Sequence, residues 1–132
     1  MTTTTTSYAI ARDFDQPFDD VVTRIREELA TEGFGVLTEI DVQATLKQKL
    51  NLDVEPYLIL GACNPNLASK GLAVEPDLGV LLPCNVVVRR QGGQTRVAAM
   101  DPASALKLAD NADLEPLAAE AQARITRAVE RT

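Results

Sequence analysis

The sequence predicts an α+β fold in which one sheet packs against helices. The chain has 132 residues, of which 45% are hydrophobic and 24% charged, a balance typical of one globular domain. Hydrophobic residues alternate in some segments, as in strands, and recur every three or four positions in others, as in helices. Predicted strands and predicted helices alternate along most of the chain. Gly92-Gly93 has the composition of a hairpin turn between two strands. We expect residues 1–6 to be a flexible tail and residues 7–132 to be a single domain.

The N-terminal part of the domain predicts a strand followed by an amphipathic helix. Apolar and polar residues alternate from Tyr8 to Phe14, which indicates a strand. Asp15 is a helix-capping residue and Pro17 suits the first turn, so we expect the helix to begin there. Gly33 follows the apolar stripe of the helix and suits the left-handed conformation that ends one.

The middle of the chain predicts two strands, each followed by a capped helix. Residues 34–40 have the pattern of a strand, and Asp41 is placed to cap a short helix after it. An apolar strand at residues 57–60 is followed by Asn64, a second capping residue. A proline at the first helical position then predicts the helix Pro65–Val74.

The C-terminal part predicts a hairpin and two helices. Its first strand is Val80–Val88, and because proline cannot donate to a ladder, Pro83 places that strand at a sheet edge or at a bulge. The returning strand is Gln94–Met100. Asp101 is positioned to cap a short helix, and the last helix begins near Asp113.

The charge balance argues against nucleic acids and membranes as partners. Thirteen bases against 19 acids give a net charge of -6, and the bases are dispersed along the chain. Nucleic acids and anionic membranes require a dense basic surface, and single strands also require stacking aromatic residues. The chain has only two tyrosines and three phenylalanines, and no tryptophan.

The N-terminus and the apolar segments indicate a cytoplasmic protein. Threonines follow Met1, where a signal peptide would have basic and then apolar residues. The longest apolar stretches are far shorter than the ~20 residues of a membrane span. Cytoplasmic thiols are kept reduced, so we expect a disulfide between the cysteines only as a redox event.

The chain has no histidine and two cysteines, which limits the kinds of catalytic and metal-binding sites that it can form. The lack of histidine excludes Ser-His-Asp triads, Cys-His pairs and imidazole metal ligands. Each cysteine precedes an asparagine, and each Cys-Asn dipeptide lies beside a proline. The first dipeptide is where a predicted strand runs into a helix, and the second is within a predicted strand. The candidate ligand-binding residues are therefore Cys63, Asn64, Cys84 and Asn85.

Each candidate has a functional and a structural interpretation. At a helix start, backbone amides and the helix dipole could bind a small anion or lower the pKa of the Cys63 thiol. Alternatively, Cys63 is a small buried residue at a tight junction. Cys84 is either turned toward a site by the irregularity at Pro83 or an inward-facing strand residue. We interpret Asn64 mainly as a helix cap, whereas Asn85 could bind a ligand.

The two cysteines could act together if they lie on adjacent strands, as a redox pair or as ligands of a soft metal ion. Two thiolates do not complete a tetrahedral zinc site, which would need a symmetric dimer or an added carboxylate. Three arginines beside the hairpin could hold an anion, although we interpret them as a solvated face. They are Arg89, Arg90 and Arg96.

Four segments together resemble the bacterial and archaeal family called domain of unknown function 302. They are Glu32–Asp41, Leu60–Pro65, Leu81–Val88 and Asp101-Pro102, within a resemblance that extends from about Ser7 to Arg131. The resemblance implies a curved, largely antiparallel sheet, similar to the TATA-binding-protein arrangement, and a homodimer. It implies no reaction, substrate or cofactor. The Cys-Asn segments match the family pattern.

We therefore expect a small non-enzymatic binding module that acts as a homodimer and holds a small anion or a soft metal near the Cys-Asn segments. The first alternative is a thiol-based redox enzyme or sensor, with Cys63 as nucleophile and Cys84 as resolving thiol. The second is a purely structural interaction module that uses its amphipathic C-terminal helix. The sequence leaves open whether any reaction is catalysed.

Overall fold

The segments with alternating hydrophobic residues form the strands of one open, antiparallel sheet in the computed structural model, which describes residues 2–132. The six strands are β1 (Thr4–Thr5), β2 (Ala9–Phe14), β3 (Gly35–Asp41), β4 (Tyr57–Cys63), β5 (Cys84–Gln91) and β6 (Gln94–Met100). Their order across the sheet is β1-β2-β6-β5-β4-β3, and all five pairings are antiparallel. The predicted α+β class is confirmed.

Five α-helices connect or follow these strands within residues 2–132. They are α1 (Phe18–Thr31), α2 (Val42–Leu50), α3 (Pro65–Val74), α4 (Pro102–Ala105) and α5 (Glu115–Arg131). Three short 3₁₀ segments lie at Pro76–Leu81, Leu106–Ala109 and Ala112–Leu114. None of the helices in this part of the chain has the length and apolar character needed to cross a membrane.

The main core lies between the sheet and the two long helices α1 and α5. Alternate strand residues such as Ile10, Val86 and Val97 are fully buried there, together with Ile25 of α1 and Ile125 of α5. Full burial of an aliphatic side chain stabilises a fold by about 1.5–3 kcal/mol. This layer therefore supplies much of the hydrophobic stabilisation, and we name this side of the sheet the helix-covered face.

The opposite side of the sheet, named here the outer face, carries the intervening residues of each strand. Its central cross-strand row consists of Ile40, Ile59, Val87 and Ala98. Ile40 is 51% exposed, and the other three are half-buried. The sheet thus has one face sealed by helices and one face that stays partly open and is apolar along this central row.

Glu32 joins the end of α1 to α5. Its carboxylate, which is almost fully buried, accepts hydrogen bonds from Arg127 and Arg131, each at 2.9 Å. Its carbonyl oxygen accepts a hydrogen bond from Arg124 at 3.0 Å. The hydrogen bond from Arg127 is the main cause that lowers the pKa of the Glu32 carboxyl. The late arginines of the last helix thus have a specific partner on another helix.

Most of the predicted helix starts and turns are confirmed. The side chains of Asp41, Asn64 and Asp101 each accept a hydrogen bond from a backbone N–H group in the first turn of the following helix. Gly33 has a φ of +85°, the left-handed conformation expected after α1. The hairpin turn at residues 92–93 joins β5 to β6.

The predicted start of α1 is wrong. The helix begins at Phe18, and Pro17 itself takes the capping position in an extended conformation, without a side-chain hydrogen bond. Asp15 lies too far from the first turn to cap it. Its carboxylate instead accepts a hydrogen bond from Gln94 at 3.2 Å.

The prediction of a strand over Val80–Val88, with Pro83 at an edge or bulge, is also wrong. The segment Pro76–Leu81 is a 3₁₀ helix, the Leu82–Pro83 peptide bond is cis, and β5 begins at Cys84. β5 is a central strand between β6 and β4. Because the proline precedes the ladder, its missing N–H group disturbs no pairing.

Part of the threonine run that we expected to be a tail pairs with the sheet. Thr4 and Thr5 form β1 opposite Ala11 and Ile10. These two residues therefore extend the sheet by a short edge strand.

Candidate functional site

Cys63 and Cys84 lie on neighbouring strands. Cys84 opens β5 and is paired in register with Ala62, while Cys63 is the next and last residue of β4. Cross-strand partners lie 4.5–5.5 Å apart and successive residues about 3.3 Å apart, so the two cysteine Cα atoms are separated by roughly 6 Å. This separation lies within the Cα distances that disulfides span, although strand alternation by itself points Cys63 and Cys84 to opposite sides of the sheet. Cys63 is the last residue of β4, and the evidence that the two side chains approach each other is the cavity that both of them line.

The two thiols differ in their surroundings. Cys84 is 6% exposed and belongs to the main core, whereas Cys63 is half-buried. Burial, followed by the charge of Cys63, raises the pKa of the Cys84 thiol to about 11. About one Cys84 side chain in ten thousand is therefore a thiolate at pH 7.

Both cysteines line an apolar cavity of about 50 Å³. Its other walls come from α3, from the 3₁₀ segment and loop before β5, and from α4 and α5, as Leu67, Leu82 and Pro102 illustrate. A cavity of about 150 Å³ holds a benzene molecule, and drug-sized ligands occupy about 300–1,000 Å³. The cavity therefore suits a single ion or a very small molecule.

Gly61 on β4 permits the close approach of Pro83, the residue before Cys84. A Cβ atom on Gly61 would lie 2.8 Å from Cγ of Pro83 and would also overlap the hydroxyl of Thr38. Pro83 immediately precedes Cys84, so the contact between Gly61 and Pro83 fixes how β5 enters the sheet. The role of Gly61 could not be predicted from the sequence, because only the strand order shows which residues lie against it.

Asn64 acts as the cap of α3, as predicted. It is 7% exposed, and its Oδ1 atom accepts a hydrogen bond from the N–H group of Leu67 at 3.2 Å. The cap uses a backbone donor that an anion at this helix start would need. Asn64 lines the cavity beside the thiols, so three of the four candidates are brought together.

Asn85 is separated from the other three candidates. It is exposed on the outer face, opposite Gly61, because successive strand residues point to opposite sides of a sheet. The structure therefore does not bring Asn85 to the cavity that Cys84 lines.

A second concave region, which the sequence did not predict, is a depression of about 540 Å³ on the outer face that we name the outer-face depression. Its lining combines apolar, aromatic and cationic side chains, among them Tyr8, Tyr57, Asn85, Val87, Arg89, Arg96, Ala98 and Met100. Arg89 and Arg96 are directly opposite each other in the β5–β6 hairpin. The two-residue turn already implies this register, because it pairs residues that are equally distant from it.

Comparison with known proteins identifies the same architecture. A crystal structure of the uncharacterized conserved protein DUF302 from Bacillus stearothermophilus is similar to this chain, with a TM-score of 0.87 and 30% sequence identity. The similarity covers 93% of this chain and 96% of that chain. None of the curated proteins matches the chain significantly. The profile of the family described as "Domain of unknown function DUF302" matches residues 10–132, so the chain belongs to that family.

Proposed function

We propose that this chain is a non-enzymatic binding module that holds one soft metal ion, such as Cu(I), between Cys63 and Cys84. The observation that carries the proposal is that the two thiols, from neighbouring strands, line one small apolar cavity. Thiolates are the ligands that soft ions prefer. Two of them supply a complete set for a two-coordinate ion, but only half the set for tetrahedral zinc.

The high pKa of the Cys84 thiol favours metal binding over thiol catalysis. A resolving thiol attacks as a thiolate, and at a pKa of about 11 this form is scarce at neutral pH. A bound metal ion, by contrast, deprotonates its thiol ligands through its own charge. Metal binding would release thiol protons and would therefore strengthen as the pH rises.

The walls of the cavity favour a metal ion over a small anion. Its lining is almost entirely apolar, and Asn64 already accepts the hydrogen bond from the N–H group of Leu67 at the start of α3. An anion enclosed there would lose its hydration without gaining matching donors. The proposal includes a cytoplasmic location, where both thiols would stay reduced and available to a metal.

The proposal also includes a homodimer that forms through β3. This seven-residue strand lies at one edge of the sheet, whereas β1 at the other edge has two residues. Leu37 and Ile40 on β3 are 68% and 51% exposed. An edge of this length offers a row of backbone donors and acceptors, and a second copy can pair with it about a two-fold axis.

Metal analysis of protein purified without a chelator tests the metal-binding function. After loading with Cu(I) under reducing conditions, we expect one ion per chain and a higher melting temperature. Cys63→Ser and Cys84→Ser should lose both effects. Ala68→Ser, which alters the same cavity but keeps both thiols, is the matched control. The proposal would be overturned by native protein that holds no soft metal and shows no thermal shift with any.

A further inference from the structure

We propose that the outer-face depression is a separate binding site for a small organic carboxylate with an apolar body. The site lies on the face of the sheet opposite the main core and does not depend on the metal-binding function. Its volume of about 540 Å³ falls within the usual range for small-molecule pockets. It also has the usual composition of such pockets, an apolar lining with a few convergent polar groups.

Two arginines at one end of the depression supply the anion-binding group. Arg89 and Arg96 are cross-strand partners on the same face, and like charges in this arrangement destabilise a sheet. Arg96 forms a salt bridge with Asp13 at 3.1 Å, while Arg89 has no salt-bridge partner among residues 2–132. A carboxylate would relieve the repulsion, and the guanidinium fork matches its two oxygens.

The strands beyond the arginines supply the surface for an apolar body. Val87 and Ala98 follow in the next row of the outer face, and Asn85 and Met100 form the row after it. These last residues are four positions from the arginines, which corresponds to about 13 Å along a strand. The ligand therefore has an anionic head at Arg89 and an apolar part that extends along the strands, as in a medium-chain fatty acid.

The tyrosines make this site directly observable. The chain has two tyrosines and no tryptophan, and both tyrosines, Tyr8 and Tyr57, line the depression. Tyr57 is the cross-strand partner of Arg89, so it lies beside the proposed head group. Intrinsic tyrosine fluorescence therefore reports occupancy of this site.

Titration with octanoate, with octanol and inorganic phosphate as comparison probes, tests the proposal on the native chain. We expect a saturable fluorescence change with octanoate, at one site per chain. Octanol lacks the charge and phosphate lacks the apolar body, so each should bind at least about tenfold more weakly. Octanol binding as tightly as octanoate would overturn the proposal, as would phosphate displacing octanoate at equal concentration.

Variants locate the head group. Arg89→Met should weaken octanoate binding by about tenfold or more, and Arg89→Lys by less, since lysine keeps the charge but loses the fork. Lys70→Met removes the same charge from an exposed position on α3 and should leave binding unchanged. Unchanged binding in Arg89→Met would contradict the proposal. The proposal would also be contradicted if the native chain were a dimer and Arg89→Met dissociated it. In that case a second copy of the chain, and not a carboxylate, would cover the outer face.

Discussion

Cys84 is paired with the residue that precedes Cys63, and burial, followed by the charge of a Cys63 thiolate, raises the pKa of the Cys84 thiol. Both side chains line one cavity, while the core surrounding Cys84 keeps that thiol protonated. A thiol with so high a pKa is a poor nucleophile at neutral pH, and the proposed metal ion would have to displace its proton.

We predict that the protein loses stability between pH 9 and pH 11 through Cys84. The pKa of its thiol rises from 9.0 to about 11 in the folded chain, so the unfolded chain loses this proton first as the pH increases. The contribution is complete below pH 9 and lost as the pH passes 11, and a shift of about two pKa units corresponds to roughly 3 kcal/mol. Urea unfolding at pH 8 and pH 11 measures it. Cys84→Ala should show a smaller decrease than the native chain, and an equal decrease would contradict the prediction.

We predict that Glu32→Gln destabilises the fold by about 1–3 kcal/mol at pH 7, because it removes the charge that Arg127 and Arg131 bind. The pKa of Glu32 is lowered in the folded state, so its contribution is present above its ordinary value of 4.5 and is lost as the pH falls below it. The difference between the native chain and Glu32→Gln should therefore shrink at pH 3. The exposed Glu27→Gln on the same helix is the control and should change stability little at either pH.

We predict that Gly61→Ala destabilises the fold by about 1–3 kcal/mol, because its new methyl group would collide with Pro83 and Thr38. Thermal or urea unfolding measures the loss. Gly35→Ala on β3 is the matched control, since a Cβ atom there meets no atom within 4 Å. Equal stability of the two variants would show that the close approach at Gly61 is not required.

We predict that Leu37→Lys combined with Ile40→Lys yields a monomer, because lysine on an edge strand opposes pairing with a second sheet. Sedimentation velocity of the native chain and the variant measures the change. Leu50→Lys is the control, because Leu50 is similarly exposed, at 69%, but belongs to α2. A native chain that is monomeric at every concentration, or a dimer that persists in the double variant, would exclude β3 as the interface.

Features that depend on a few neighbouring residues could be predicted from the sequence. The caps at Asp41, Asn64 and Asp101 each require one side chain and one N–H group two or three positions later. The conformation of Gly33 likewise follows from its place at the end of the helical pattern. Which residue caps each helix is thus decided within one turn of chain, although the helices themselves are stabilised by packing against the sheet.

Features that depend on the order of the strands in the sheet could not be predicted from neighbouring residues in the sequence. Pro83 predicts an edge strand or a bulge, but β5 lies between β6 and β4 and begins just after the proline. Proximity of Cys63 to Cys84 also depends on the β4–β5 pairing, which a helix and a 3₁₀ segment separate along the chain. The separation of Asn85 from Cys84, by contrast, follows from strand alternation once the strand boundaries are known.

Titration of the reduced protein with Cu(I), against a chromophoric Cu(I) chelator under anaerobic conditions, tests the metal-binding function most directly. The predicted result is transfer of one Cu(I) ion per chain from the chelator, with a new thiolate-to-copper absorption band in the ultraviolet. Both signals should disappear in Cys63→Ser and in Cys84→Ser. Absence of transfer to the native chain, or transfer that survives the loss of Cys84, would contradict a metal site shared by the two thiols.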